Sequence, residues 1–243
     1  MSETLLEVKL ARPKGNVIDS AMIESLRAAV RGAEGPVRAI LITAEGPHFS
    51  FGASVEEHRP GEVERFLPAF HALFRDLVAC GRPLLAAVRG QCLGGGLEIA
   101  AFCHRVFAAP DARLGSPEIK LGVFAPVASI VLPHRIGRAA ADDLLLTGRS
   151  VGAAEARSIG LVDEIADDPE KAARAWHEKH LVPHSASSLA LAVRAARFAL
   201  EQEIEATLPR LEALYLERLM ATTDAKEGIE SFLAKRGPAW THR

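Results

Sequence analysis

The stretch Pro83-Leu-Leu-Ala-Ala-Val-Arg-Gly-Gln-Cys-Leu-Gly-Gly-Gly-Leu-Glu98 decides the reading of this chain. Leu84–Val88 is short, apolar and bounded by proline and arginine, so it reads as a buried strand. Three consecutive glycines follow, and then Leu97–Cys103, which is apolar at every position except Glu98 and reads as a helix. Gly94–Gly96 therefore stands at a helix start, where the first backbone N–H groups lack partners and the dipole is positive. Glycine lets a ligand oxygen come close to the main chain. Two readings stay open: a tight strand-to-helix turn, or a site for a developing oxyanion. The spacing fits neither a dinucleotide loop nor a Walker A loop. Glu98 could complement the helix dipole. Yet a carboxylate among Leu97, Ile99, Ala100, Ala101 and Phe102 is costly to bury without a partner or a task.

Outward from this segment, strands alternate with helices. Leu5–Leu10, Val37–Thr43 and Val106–Ala109 read as further strands, and Ser20–Arg31, Gly61–Cys80 and Gly95–Cys103 as helices. Strands separated by helices imply right-handed crossovers and largely parallel pairing, an α/β fold. From Asp168 the pattern is helical. Asp168 and Pro169 form an N-cap and first position, and Ser185 caps a helix expected to run to about Leu200. Glu203–Ala221 is amphipathic, with a kink or restart expected at Pro209. Asp224 and Glu227 are spaced as a capping box for Ala225–Lys235. The expected division is a core over residues 1–167 and a helical region over 168–243, the latter covering the core or forming a subunit interface.

The 243 residues carry 29 Lys and Arg against 31 Asp and Glu, so charge gives no reason to expect nucleic acid. Met1–Lys9 lacks the long apolar run of a signal peptide, and no run approaches membrane-span length. Cys80, Cys92 and Cys103 suit neither a disulfide framework nor a zinc knuckle, and the cytoplasm is the expected compartment. His177, His180 and His184 lack a completing ligand motif, so no metal is expected.

Two more segments share the glycine-rich character. Pro47-His-Phe-Ser-Phe-Gly-Ala-Ser54 follows a strand and bends at Gly52, leaving backbone N–H groups free to face a ligand. Leu114-Gly-Ser-Pro-Glu-Ile-Lys-Leu-Gly122 carries Glu118 in a glycine-bounded loop, where it also reads as a plain surface acid. In this order, with Leu146-Thr-Gly-Arg149 and Glu227–Arg236, the segments resemble the enoyl-CoA hydratase/isomerase (crotonase) superfamily over nearly the whole chain. The resemblance implies a spiral of β-β-α turns with a helical C-terminal trimerisation region, as a homotrimer or dimer of trimers. It implies that Ala53 and Gly95 donate N–H bonds to the oxygen of an acyl-CoA thioester, and that Glu98 and Glu118 are the catalytic acids. CoA enters only as part of the substrate, and no other cofactor is needed. Phe51, Gly52, Ser54, Gly94, Phe124 and Pro126 are the expected substrate contacts, with Val127 a further candidate for the wall. Lys14, Arg12 and Lys235 are expected near the CoA nucleotide.

Two departures stand out. Pro126 falls where the family has a glycine whose N–H helps hold the catalytic water, and proline has none. Ser54 replaces a commoner aspartate. Phe-Ser-Phe-Gly-Ala-Ser-Val-Glu-Glu-His58 and Leu-Gly-Val-Phe-Ala-Pro126 are similar to the cyclohexa-1,5-diene-1-carbonyl-CoA hydratases of anaerobic aromatic degradation, which form 6-hydroxycyclohex-1-ene-1-carbonyl-CoA. The alternatives are a straight-chain enoyl-CoA hydratase or isomerase, and, from another class, a non-catalytic oligomeric CoA-binding protein.

Overall fold

A computed structural model of the protein describes residues 3–243. The elements run β1 (Leu5–Leu10), α1 (Pro13–Asn16, a single distorted turn), α2 (Ser20–Arg31), β2 (Ala39–Ala44), α3 (Val63–Ala79), β3 (Leu84–Val88), β4 (Gln91–Leu93), α4 (Gly95–Phe102), β5 (Arg105–Ala108), β6 (Arg113–Gly115), α5 (Pro126–Ile136), α6 (Arg138–Thr147), β7 (Ser150–Gly152), α7 (Ala153–Ser158), β8 (Glu164–Ile165), α8 (Pro169–His180), α9 (Ala186–Ala213) and α10 (Thr223–Leu233). No helix among the described residues is long and apolar enough to cross a membrane.

Five strands form a parallel sheet in the order β1-β2-β3-β5-β8. Side chains alternate between its two faces, as the two-residue strand period demands. Ile40, Ile42, Leu84, Ala86, Val88 and Val106 enter the main core with α2, α3 and α4. Leu5, Leu41, Leu85, Ala87 and Phe107 face the other way and meet Ala173 and Leu181. Both faces are covered, which explains why these strands read as continuous apolar runs. Arg174 of α8 fastens that cover, donating through Nε and Nη2 to both carboxylate oxygens of Glu7 on β1, at 2.7 and 2.8 Å. The helix at the start of the 168–243 region is thus a packed layer of the main sheet.

A second, smaller sheet steps alongside, with β4 parallel to β6 and β6 antiparallel to β7. Single bridges extend the pattern, Ser50 to Cys92 and Ile18 to Ala53. The chain therefore winds as successive strand–short strand–helix turns, and equivalent bends, at Gly52 and Gly94, lie next to each other.

Three local expectations are corrected. Helix α9 runs unbroken from Ala186 through Pro209 to Ala213. Leu200, Ile204 and Leu208 bury one face of it, and that packing outweighs the single backbone bond the proline removes. Thr222, not Asp224, caps α10, its hydroxyl accepting from Ala225 N at 3.1 Å. Asp224 instead accepts from the amides of Thr241 and His242, both at 2.7 Å, and Glu227 accepts from Ala239 N at 2.8 Å. The expected capping box holds down the C-terminal tail. Arg194 and Arg197, flanked by apolar residues, read from the sequence as one polar helix face, but Arg197 turns inward and donates to Phe102 O at 2.6 Å.

Candidate active site

The bends at Gly52 and Gly94 open into one cavity of about 470 Å³, within the size range of small-molecule sites. Phe51, Gly52, Ala53, Gly94, Gly95, Glu98, Glu118, Phe124 and Pro126 all line it. Ser54, Lys14 and Lys235 do not. Ser54 is buried, its Oγ accepting from Glu57 N and its carbonyl from His58 Nδ1. Lys14 and Lys235 are exposed. Val127 is buried in the main core instead of forming a wall.

Backbone geometry explains which amides are free. Ala53 pairs with Ile18 through a parallel bridge, and such a bridge is made by the neighbours' atoms. Ile18 N donates to Gly52 O and Ser54 N donates to Ile18 O, both at 2.9 Å. The Ala53 N–H faces the opposite side, toward residue 95. Gly95 opens α4, so its N–H has no intrahelical acceptor. Among the described residues neither amide has a partner in the protein. A Cβ placed on Gly95 would lie 3.2 Å from Ala53 N, which measures how closely the two segments approach. Two free donors converge on one point of the cavity wall.

The carboxylates reach this wall from different elements. Glu98 lies in the first turn of α4 and is 4% exposed. Its Oε1 accepts from Ala128 N at 2.8 Å, in the first turn of α5. Pro126 occupies the opening position of that helix, where a missing N–H costs least. Glu118 sits in a 3-10 turn, Pro117–Leu121, and its Oε2 accepts from Ser116 Oγ at 2.7 Å. Its other oxygen passes so close to Gly94 that a Cβ there would stand 2.7 Å away.

Burial pushes the Glu98 carboxyl up to about 8. The neighbouring Glu118 adds to the rise, and the Ala128 and Val127 amides oppose it. Burial likewise raises Glu118, against its hydrogen bond from Ser116. Two carboxyl groups in a dry site with raised proton affinity retain a proton between them near neutrality. One can then accept a proton while the other gives one, beside donors that would hold a developing oxyanion.

Several lining residues escape sequence reasoning. His58, Phe66, Phe70, Lys120, Tyr215 and Arg236 all line the cavity. Tyr215 reads from the sequence as one more apolar position of an amphipathic helix, and His58 merely ends a quoted motif. Lys120 and Arg236 stand beside singled-out residues but carry no pattern of their own. Among the described residues no three His, Cys, Asp or Glu side chains are grouped as a metal site.

Two free amides and two carboxyl groups at one cavity of this α/β fold make an enzyme site suited to an acyl-CoA thioester. Residues 1–243 match the model of the enoyl-CoA hydratase/isomerase family, and the chain belongs to that family. It is 53% identical over 242 residues to the cyclohexa-1,5-dienecarbonyl-CoA hydratase of Thauera aromatica, covering 99% of this chain and 94% of that protein. Its fold superposes on an enoyl-CoA hydratase of Mycobacterium avium subsp. paratuberculosis with a TM-score of 0.86 and 26% identity, covering 99% and 96% of the two chains. An enoyl-CoA hydratase/isomerase of Pseudoalteromonas atlantica gives a TM-score of 0.83 and 28% identity, covering 99% and 98%.

Proposed function

We propose that the protein hydrates cyclohexa-1,5-diene-1-carbonyl-CoA to 6-hydroxycyclohex-1-ene-1-carbonyl-CoA. The observation that carries a hydration is the meeting of two free amides, Ala53 N and Gly95 N, with two carboxyl groups in one apolar cavity. The cyclic substrate is supported by the 53% identity to the Thauera aromatica hydratase and by the aromatic walls at Phe51, Phe66, Phe70 and Phe124.

In this reading the thioester oxygen accepts from Ala53 and Gly95. The glutamate pair takes a proton from water as the water oxygen bonds to the β-carbon. The displaced electron pair moves through the thioester as a dienolate. The carboxylic acid of the pair then protonates the remote carbon of the diene, so that one water is added and the pair regains its single proton. Preorganised donors of this kind contribute about 2.7–4 kcal/mol each. CoA is part of the substrate, and its phosphates would meet Lys120 and Arg236. The outer face of α9, with Leu191 66% and Phe198 60% exposed two turns apart, would be covered by sister subunits of a trimer.

A straight-chain enoyl-CoA hydratase is the second reading, favoured by the solved neighbours' names. Turnover of the cyclic dienoyl thioester and of crotonyl-CoA, compared on the same preparation, tests both. Preference for the cyclic substrate is expected. Hydration of crotonyl-CoA alone would leave the second reading standing.

A further inference from the structure

Tyr215 is the only tyrosine of the chain. It is 1% exposed, and among the described residues its hydroxyl has no hydrogen-bond partner. A buried hydroxyl left unpaired weakens a fold, so its presence calls for a reason. The ring lines the acyl cavity together with Glu98 and Glu118. It packs edge-on against Phe124, with ring centroids 5.2 Å apart. It is also presented by an irregular element. Leu214–Leu219 is a π-turn, in which Met220 N donates to Tyr215 O at 2.9 Å, five residues back. Such turns are rare and recur at functional sites.

His58 lines the same cavity, its ring centroid 6.3 Å from that of Tyr215. Its Nδ1 stands 2.7 Å from Ser54 O. A carbonyl can only accept, so Nδ1 carries the proton and Nε2 is left with a bare lone pair. Burial disfavours adding a second proton. The phenol also stays protonated, because burial and the nearby negative charge of Glu118 and Glu98 both oppose its ionisation. Tyr215 and His58 thus stand at the cavity beside the carboxyl pair with a neutral donor and a neutral acceptor left over, along a wall where Pro126 offers no N–H.

We propose that Tyr215 O–H and His58 Nε2 bind the reacting oxygen, first as water and then as the hydroxyl group of the product. The inventory of that water closes. One of its protons goes to the carboxylate and the other to His58, one lone pair attacks carbon, and the phenol donates to the second. The inference rests on the hydratase reading but not on the shape of the acyl group.

Tyr215→Phe deletes the hydroxyl and keeps the ring. On whichever of the two enoyl thioesters the parent hydrates, kcat should fall about tenfold, the scale of one lost hydrogen bond, with KM little changed. Binding of butyryl-CoA, which has no hydroxyl, should match the parent by calorimetry, and the melting temperature should hold or rise because the unpaired group is gone. His58→Leu should lower kcat similarly, and His58→Gln, which can still accept, should recover part of it. Parental kcat in Tyr215→Phe overturns the proposal, as does an equal weakening of butyryl-CoA, which would mark a merely structural ring. Hydration of crotonyl-CoA alone by the parent changes the substrate reading and leaves the Tyr215 comparison intact. A parent that hydrates neither substrate overturns both.

Discussion

Gly94, Gly95 and Gly96 look alike in the sequence, yet each is required by a different neighbour. At Gly94 the backbone is left-handed, with φ +50°, and the Glu118 carboxylate fills the place of a side chain. At Gly95 the neighbour is the Ala53 amide, and at Gly96 a Cβ would stand 2.6 Å from that of Ser50. Gly95→Ala should therefore force the two donors apart and lower kcat by roughly a hundred- to thousand-fold, the scale of losing one oxyanion donor; steady-state kinetics would read it. Glu98→Gln and Glu118→Gln should each lose about a hundred-fold or more in kcat while still binding butyryl-CoA.

Glu98 also makes a pH prediction. Its folded-state value, about 8, lies above the ordinary 4.5. The folded chain therefore holds a proton that the unfolded chain has lost, so this contribution to stability is fully present below about 4.5 and disappears as pH rises through 8. Melting temperatures followed from pH 5 to 9 should show the parent falling relative to Glu98→Gln. A constant difference would mean that the carboxyl is ionised throughout.

At the scale of elements, tertiary burial overrides local signals. Pro209 is exposed on α9 and contributes no side-chain burial that its removal would sacrifice. Pro209→Ala restores a backbone donor and should stabilise the fold by about 1–3 kcal/mol in denaturant titration. An unchanged or lower midpoint would show that the ring packs usefully after all. The caps at Asp168 and Ser185 were readable, because a capping residue acts on amides only two or three positions away. The cap of α10 was not. Thr222 and Asp224 are both good caps, and the C-terminal tail, which recruits Asp224, comes from 17 and 18 residues further on.

For the whole molecule, the proposed trimer makes a direct demand. Leu191 and Phe198 lie seven residues apart on the outer face of α9, with Ala195 between them also exposed. Phe198→Glu should shift the chain to smaller species in sedimentation velocity with its helix content retained. A monomeric parent would remove the trimer from the description.

The strands β1 and β3 and the helix α2 end where the sequence places them, since apolar periodicity and adjacent caps are local properties. The short strands β4, β6 and β7, three residues each, were invisible because so brief a segment has no period. Much of the site was legible too: Ala53, Gly95, Glu98 and Glu118 sit at glycine-marked bends, and marked bends can be matched to a family. Lys14, Lys235 and Ser54 fall outside the cavity lining, because a charge or a hydroxyl has no direction until the chain around it is folded. Tyr215 and His58 went unread for the same reason. What the sequence by itself determined was the order of strand, bend and helix, because those preferences act over a few residues. Which side chains share one dry cavity was decided only by the winding of the sheets, which brings residues 53, 98, 118 and 215 together and lets burial set the protonation of the last three.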